Sequence, residues 1–379
     1  SYTGTDLTTL SSHLFTDFQS VQACWAEEPF KVLWVVRNDG KMLSMTYLKE
    51  QNITAWTRHD TNGLFVGVCS VTELPVDAVY VITQRYVQGA WRYYSERMNN
   101  RIWSTVEDSF CVDSGLSYPV RHPDGILQVS GSVLDETVTV VNTASNFNLD
   151  NVGDVIRVGG GKVLVTGYTS GTTLTGTVTK TITETIPDNS SGMPLPAQAG
   201  DWSISTPTSS VTGLNHLEGQ TVAILADGSV VPNQIVTNGA ITLDYPASQI
   251  VVGLPYVCQL QTMYMDTPPV QGKSVQNRRK LISSVGVRVE ASRGLQIGAD
   301  QVDASTQTNF TEVPWTDMNE IKERTMFVNA GDAVPLYTGD YYKNISSGWA
   351  PEGQIAIQQI YPLPANILAL VAYWTLGDD

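Results

Sequence analysis

Apolar and polar positions alternate with a period of two over much of the chain, the pattern of strands with one buried and one wet face. The clearest instance is residues 34–47. An apolar run meets the turn Asn38-Asp39-Gly40, and Met42, Ser44 and Thr46 then alternate with Leu43, Met45 and Tyr47. Glycine tolerates the positive φ of a tight hairpin turn, so an Asp-Gly between β-rich runs predicts a hairpin. A second such turn is Asp227-Gly228, between residues 221–225 and 230–231, and Asn238-Gly239 links 235–236 to 241–243. Three such turns with few helical stretches imply meandering antiparallel sheet. That suits a scaffold or a binding surface before it suits an enzyme.

Residues 6–22 are the best helix candidate: Asp6 caps it, and Leu7, Leu10, Leu14, Phe15 and Phe18 recur at helical spacing. Strands are expected at 32–36, 42–47, 53–57, 64–71, 78–84 and 91–97. Their turn signals recur at roughly ten- to fifteen-residue spacing, the rhythm of a β-propeller blade or a sandwich. After Tyr118 the composition shifts. Residues 130–205 are rich in Thr, Gly and Val, with short strands expected at 138–141, 155–158, 162–166 and 173–178 around Gly159-Gly160-Gly161. Residues 187–200 read as a flexible return linker. Beyond 206, one long strand is expected over 281–290, and 353–360 and 367–376 are expected to be neighbours. The fold class is therefore all-β and mainly antiparallel. A propeller-like or meander region (1–118) is followed by an inserted small β module with its linker (119–210), and a β-rich C-terminal region (211–379) completes the main domain.

Composition narrows the function classes. The 379 residues are 42% hydrophobic and 16% charged, which describes a globular chain. A net charge of −15 and a pI of 4.6 argue against a general basic surface for nucleic acid. Arg278-Arg279-Lys280 is too small a patch to change that and reads as a solvated loop or strand end. Cys24, Cys69, Cys111 and Cys258 are far apart and lack zinc spacing, so they are expected to be buried free thiols in a reducing compartment. No apolar run reaches membrane-span length, and the start lacks a secretory pattern. The chain opens at Ser1 in ordinary sequence and reads as a fragment or processed product.

No catalytic constellation assembles. His13, His59, His122 and His216 sit in unrelated contexts, and neither H-E-x-x-H nor G-x-S-x-G occurs. Arg58-His59-Asp60 reads as a polar turn before it reads as acid–base machinery. Glu27-Glu28 and Asp135-Glu136 are adjacent carboxylates, which a strand sends to opposite faces. Gly159-Gly160-Gly161-Lys162 lacks phosphate-loop spacing, and Asp150, Asn151 and Asp154 lack the pattern of a calcium loop. The expectation is a non-enzyme without cofactor or metal. The nine Trp and sixteen Tyr are many for this length. Trp34, Trp56 and Trp374 lie in apolar runs and are expected to be buried. Trp91, Tyr93 and Tyr94, beside Arg92 and Arg97, are the interface candidates.

Residues 32–56 (VLWVVRNDGKMLSMTYLKEQNITAW) resemble the tail nozzle proteins of short-tailed bacteriophages, of the tubular tail protein B type. The resemblance continues at 110–116, is strong at 213–222, extends through 226–228, 236–243 and 252–256, and closes at 336–340 and 362–369. In the family pattern the block ending near Tyr118 leads almost directly to the one beginning at Gly213, which supports an insertion between them. Some members carry an insert like Gly153-Asp154-Val155-Ile156-Arg157. Members are usually longer at the N-terminus, so this chain resembles their C-terminal part. The resemblance implies a virion tail protein, made in the host bacterial cytoplasm. It would form a ring, commonly a hexamer, touch tail adaptor and fibre proteins, and let genomic DNA pass without sequence-specific binding. An acidic conduit would repel phosphate and keep DNA sliding. The alternative is a carbohydrate-binding receptor-recognition module, in which exposed aromatics or the insert meet host surface glycan.

Overall fold

The computed structural model describes residues 4, 6–73, 76–99, 101, 103, 105–118, 120–183, 197, 201–266, 275, 278–301, 315–322, 333–345 and 347–377. Within them every strand pairing is antiparallel, and the regular structure is sheet apart from short 3-10 turns. The expected linker over 187–200 lies almost wholly outside the described residues.

The N-terminal region opens with β1 (Ser20–Ala26), β2 (Val32–Arg37), β3 (Met42–Leu48) and β4 (Ile53–His59), hydrogen-bonded in chain order. The Asn38-Asp39-Gly40 loop closes the β2–β3 hairpin: the Arg37 N–H donates to the Lys41 carbonyl and Gly40 takes φ +78°. A Cβ at Gly40 would stand 2.6 Å from Leu64, so close packing as well as φ requires glycine there. Next come β5 (Leu64–Glu73), β6 (Val76–Val87) and β7 (Ala90–Arg97), a second sheet in chain order. The two sheets bury Val32, Trp34, Val36 and Met42 against Phe65, Val68, Val79 and Val81.

The helix expected over residues 6–22 does not form. A 3-10 helix covers Thr9–Leu14, Ser11 leaves helical geometry, Asp17 turns to φ +68°, and Ser20 already belongs to β1. The reason is local competition. Asp6 accepts the Thr8 N–H and hydroxyl, and the Thr9 hydroxyl bonds the Asp6 carbonyl. Tertiary packing then fixes Leu14 on Val35 and Leu43, with its carbonyl accepting from Arg37.

β8 (Asp113–Ser117) precedes six strands that make one separate sheet: β9 (Leu127–Val129), β10 (Thr137–Asn142), β11 (Val155–Val158), β12 (Gly161–Ser170), β13 (Thr173–Lys180) and β14 (Trp202–Ser205), in the order β14-β11-β12-β13-β10-β9. Gly159 and Gly160, both at positive φ, form the tight β11–β12 turn. One buried cluster, including Val140, Ile156, Leu174, Trp202 and Ile204, fills this sheet's concavity. Ions fasten it to the rest of the chain. Arg157 donates to Asp227 at 2.6 Å, and the buried Glu107 lies 3.4 Å from Lys162 and 3.6 Å from Lys180. Burial alone would raise the Glu107 pKa, but the two lysines hold it below the usual carboxylate value.

The chain continues with β15 (Thr208–Thr212), β16 (Thr221–Ala226), β17 (Ser229–Ile235), β18 (Ala240–Ala247) and β19 (Ile250–Leu254). β15 and β18 pair by themselves, and β8 completes the sheet β17-β16-β19-β8, pairing Leu116 with Val252 across the intervening module. Asp227-Gly228 and Asn238-Gly239 both place two consecutive residues at positive φ, as two-residue hairpin turns demand. The last strands are β20 (Cys258–Gln261), β21 (Lys280–Ser292), β22 (Gln296–Ala299), β23 (Asn319–Glu320), β24 (Tyr337–Asn344), β25 (Ile355–Gln359) and β26 (Asn366–Leu376). They form two sheets, β20-β25-β22-β23 and β24-β21-β26, over a shared core of Val285, Val287, Val289, Ile297 and Ile357. β25 and β26 are thus not neighbours, contrary to the sequence-based expectation. Pro362 and Pro364 separate them, and the long β21 takes β26 into a different sheet.

Candidate functional site: an aromatic sheet face

The site is built on β6 and β7. Val87 pairs with Ala90 across Gln88-Gly89, both at positive φ, and this tight turn sets the register for the whole hairpin. Tyr86 therefore faces Trp91, Gln84 faces Tyr93 and Ile82 faces Ser95, with these side chains on the outer face. Tyr86 and Trp91 meet edge-to-face at 5.5 Å, and the Gln84 amide donates to the Tyr93 hydroxyl at 3.2 Å. Tyr86 and Trp91 are each 55% exposed and Tyr93 is 64% exposed. Two of the three interface candidates are thus brought together. Tyr94 is turned to the opposite face, where its ring lies edge-on to His216 at 6.3 Å. Tyr86, Ile82 and Gln84 were not singled out in the sequence, although the period-two alternation against Trp91 and Tyr93 carries the signal.

The opposite face of the same hairpin carries a buried ion network. Arg85 is buried and makes a two-pronged contact with Glu96, while its remaining nitrogen donates to Thr61 and to the Asn62 carbonyl. Thr83 donates to Glu96, and Thr61 passes the network to Asp113 on β8 at 2.8 Å. Burial would raise the Glu96 pKa, but Arg85 and Thr83 hold it below its ordinary value. Asp113, more deeply desolvated, is pushed up.

A second aromatic face lies on β24-β21-β26. Tyr342 and Tyr373 pack edge-to-face at 5.3 Å across Gly286, which also pairs with Val371. The Tyr342 hydroxyl and Ser284 are 2.6 Å apart, and Tyr342, Val371 and Tyr373 are all exposed. Only the register of three strands distant in sequence assembles this face.

The remaining candidates resolve into structure. His59 shares a 2.7 Å hydrogen bond with Ser44 and lies 5.2 Å from the Trp34 ring. Desolvation and the nearby Arg101 lower its pKa to about 4. Glu27 accepts the Trp25 indole N–H and pairs with Lys31, and Glu136 accepts the Ser132 and Val133 N–H groups of its own turn. Asp154 pairs with Arg121 and accepts from Asn151, an arrangement that holds a loop. Lys280, expected in a solvated loop or strand end, is 2% exposed, with its ammonium donating to the Pro351 carbonyl at 2.7 Å. Arg278 donates to the Gly377 carbonyl, so these cations brace the C-terminal strand.

The cysteines are free, but Cys69 and Cys258 are exposed and Cys24 and Cys111 half-buried, so the expected burial fails for the first pair. Burial pushes the Cys24 thiol up to about 11 and Cys111 to about 12, which leaves little thiolate for nucleophilic work. Trp34 is buried as expected, whereas Trp56 and Trp374 are only partly so. Among the described residues, no group of three or more His, Cys, Asp or Glu could hold a metal ion, and no helix is long and apolar enough to cross a membrane. Flat aromatic rings with a single amide between them can stack on a sugar ring or seat an apolar protein surface. No general acid and base converge there. The sequence matches no protein-family model and no curated protein.

Proposed function

We propose that the chain is a structural subunit of the tail nozzle of a short-tailed bacteriophage, one of several copies forming a ring, commonly a hexamer, around the channel through which the genome leaves. The observation that carries this reading is the run of nozzle-like sequence blocks over nearly the whole chain outside residues 119–210. Those blocks fall on hairpins and core strands: β2 to β4, β8, β16, β18, β19 and β26. Two uncovered aromatic faces, around Trp91 and Tyr373, support a role in assembly. Each ring could still lose on the order of 100 Å² of apolar surface to a neighbour, worth roughly 2 kcal/mol. The net charge of −15 supports a conduit that DNA does not stick to. A propeller-like arrangement of the N-terminal sheets and an independently folding insert belong to the same proposal, as do contacts with tail adaptor and fibre proteins. The role is non-catalytic.

The second reading is a receptor-recognition module for host surface carbohydrate, favoured by Trp91, Tyr93 and the Gln84 amide on one flat face. Cryo-electron imaging of the virion separates the two. A ring of copies at the distal end of the tail, enclosing a channel, is expected. Density confined to fibre tips or to the capsid would sink the nozzle reading and advance the carbohydrate one.

A further inference from the structure

A pocket of about 80 Å³ opens between the β1–β2 connection and the ends of β6 and β7, lined by Phe30, Trp34, Val76, Met98, Asn99 and Arg101 among others. Trp34 is buried at its wall, while Phe30 is 45% exposed. The Arg101 guanidinium stands 5.7 Å from the Phe30 ring centre and 5.8 Å from that of Trp34, within cation–π range of both.

The charges around this pocket are unevenly satisfied. Arg97 pairs with Glu73 at 2.8 Å. Asp77 accepts the Glu27 and Glu28 N–H groups and the Thr72 hydroxyl. Arg101 makes no ion pair or hydrogen bond among the described residues; aromatic rings are its neighbours. Its pKa is depressed by desolvation, offset in part by the Tyr256 phenol. Rings beside a guanidinium hold it without consuming its in-plane N–H donors, the edge that receives a carboxylate in two-pronged fashion.

We propose that this pocket binds the carboxylate of an acidic saccharide, such as a uronic acid, with Arg101 meeting the carboxylate and the exposed Phe30 ring stacking on the sugar. The volume is roughly half that of a cavity that encloses a benzene ring. It therefore admits the carboxylate end of the ligand and leaves most of the sugar at the mouth, against Phe30. The Asn99 amide supplies a donor and an acceptor of the kind that sugar hydroxyls use. The site stands independently of ring formation.

Titration calorimetry and NMR of the full chain with methyl β-D-glucuronide, methyl β-D-glucoside and N-acetylglutamate amide test it. Saturable binding of the glucuronide is expected, with shifts of the Arg101 side-chain and Trp34 indole signals and with weaker or absent binding of the other two probes. Arg101→Gln should weaken glucuronide binding at least about tenfold, and Arg101→Lys less, because it keeps the charge and loses the fork. Both variants keep a polar side chain at the pocket wall, and circular dichroism checks that they fold. No saturable glucuronide binding, or unchanged binding by Arg101→Gln, overturns the proposal. Equal binding of N-acetylglutamate amide overturns the saccharide assignment and identifies a peptide carboxylate as the ligand.

Discussion

The β5–β6–β7 sheet and the β9–β14 sheet are both antiparallel and period-two, yet they distribute their chemistry in opposite ways. In the β9–β14 sheet the inner positions are mostly apolar around Val140 and Leu174, with Asn142 a buried polar member of β10, and the outer positions of β10 and β13 form a threonine ladder, Thr137 opposite Thr177 and Thr139 opposite Thr175. In the β6–β7 hairpin the inner face carries a buried Arg85–Glu96 pair, and the outer face carries Tyr86, Trp91 and Tyr93. A sheet stabilised by its own core can leave a bland polar surface. A sheet that exposes aromatic rings leaves apolar area uncovered by its own chain. The contrast is between a sheet closed over an apolar cluster and a hairpin that leaves aromatic rings uncovered.

The strongest way to break the contrast is to remove the buried ion. Arg85→Met leaves Glu96 and Asp113 without their cation and should cost about 3–5 kcal/mol in denaturant unfolding. Adding Glu96→Leu should recover much of that loss; if the double variant is no more stable than the single, the pair is not the governing element. In the β9–β14 sheet Leu174→Ala should cost about 2–5 kcal/mol through a cavity alone. Expression of residues 120–205 by themselves should yield a cooperatively unfolding unit. A non-cooperative transition would show that Glu107 and Asp227, outside the sheet, complete its fold or that the span cannot stand alone.

A smaller effect is set by pH. The folded pKa of His59, about 4, lies below the ordinary 6.5, so between these values the unfolded chain binds a proton that the folded chain refuses. Stability should therefore fall as pH drops from about 6.5 to about 4, and His59→Gln should flatten that part of the urea-midpoint profile. The smallest effect on stability should come from Trp91→Ser with Tyr93→Ser, within about 0.5 kcal/mol. The same pair should weaken self-association in sedimentation, or glycan retention if the second reading holds. Undiminished behaviour in both assays would show that the exposed rings are not a recognition surface.

Much of the fold was legible because its signals are local. Asn38-Asp39-Gly40, Asp227-Gly228, Asn238-Gly239 and Gly159-Gly160 all mark turns, since few residues other than glycine and asparagine accept those backbone angles. The Gln88-Gly89 turn escaped notice because glutamine is an unusual first residue there, though it sets the register of the candidate site. Residues 6–22 had helical spacing but also Thr, Ser and Asp side chains that bond the nearby backbone, and the strand starting at Ser20 took the rest. The aromatic site was half legible: Trp91 and Tyr93 share a parity, and Tyr94 does not. The Tyr342–Tyr373 face was not legible at all, because its members are separated by β25 and meet only through β21.

The sequence alone determined the antiparallel β class, the glycine-marked reversals and the parity of many strands, because those depend on backbone sterics and on a two-residue period. Tertiary structure alone decided which strands became neighbours, which of two alternating faces met water, and which cations found a carboxylate. Those outcomes rest on contacts between residues far apart in the chain. Lys280 shows the difference: in sequence it ends a basic triplet, and in the fold it is buried with its ammonium held by backbone carbonyls. Desolvation by distant segments set its role, and no local pattern encodes that.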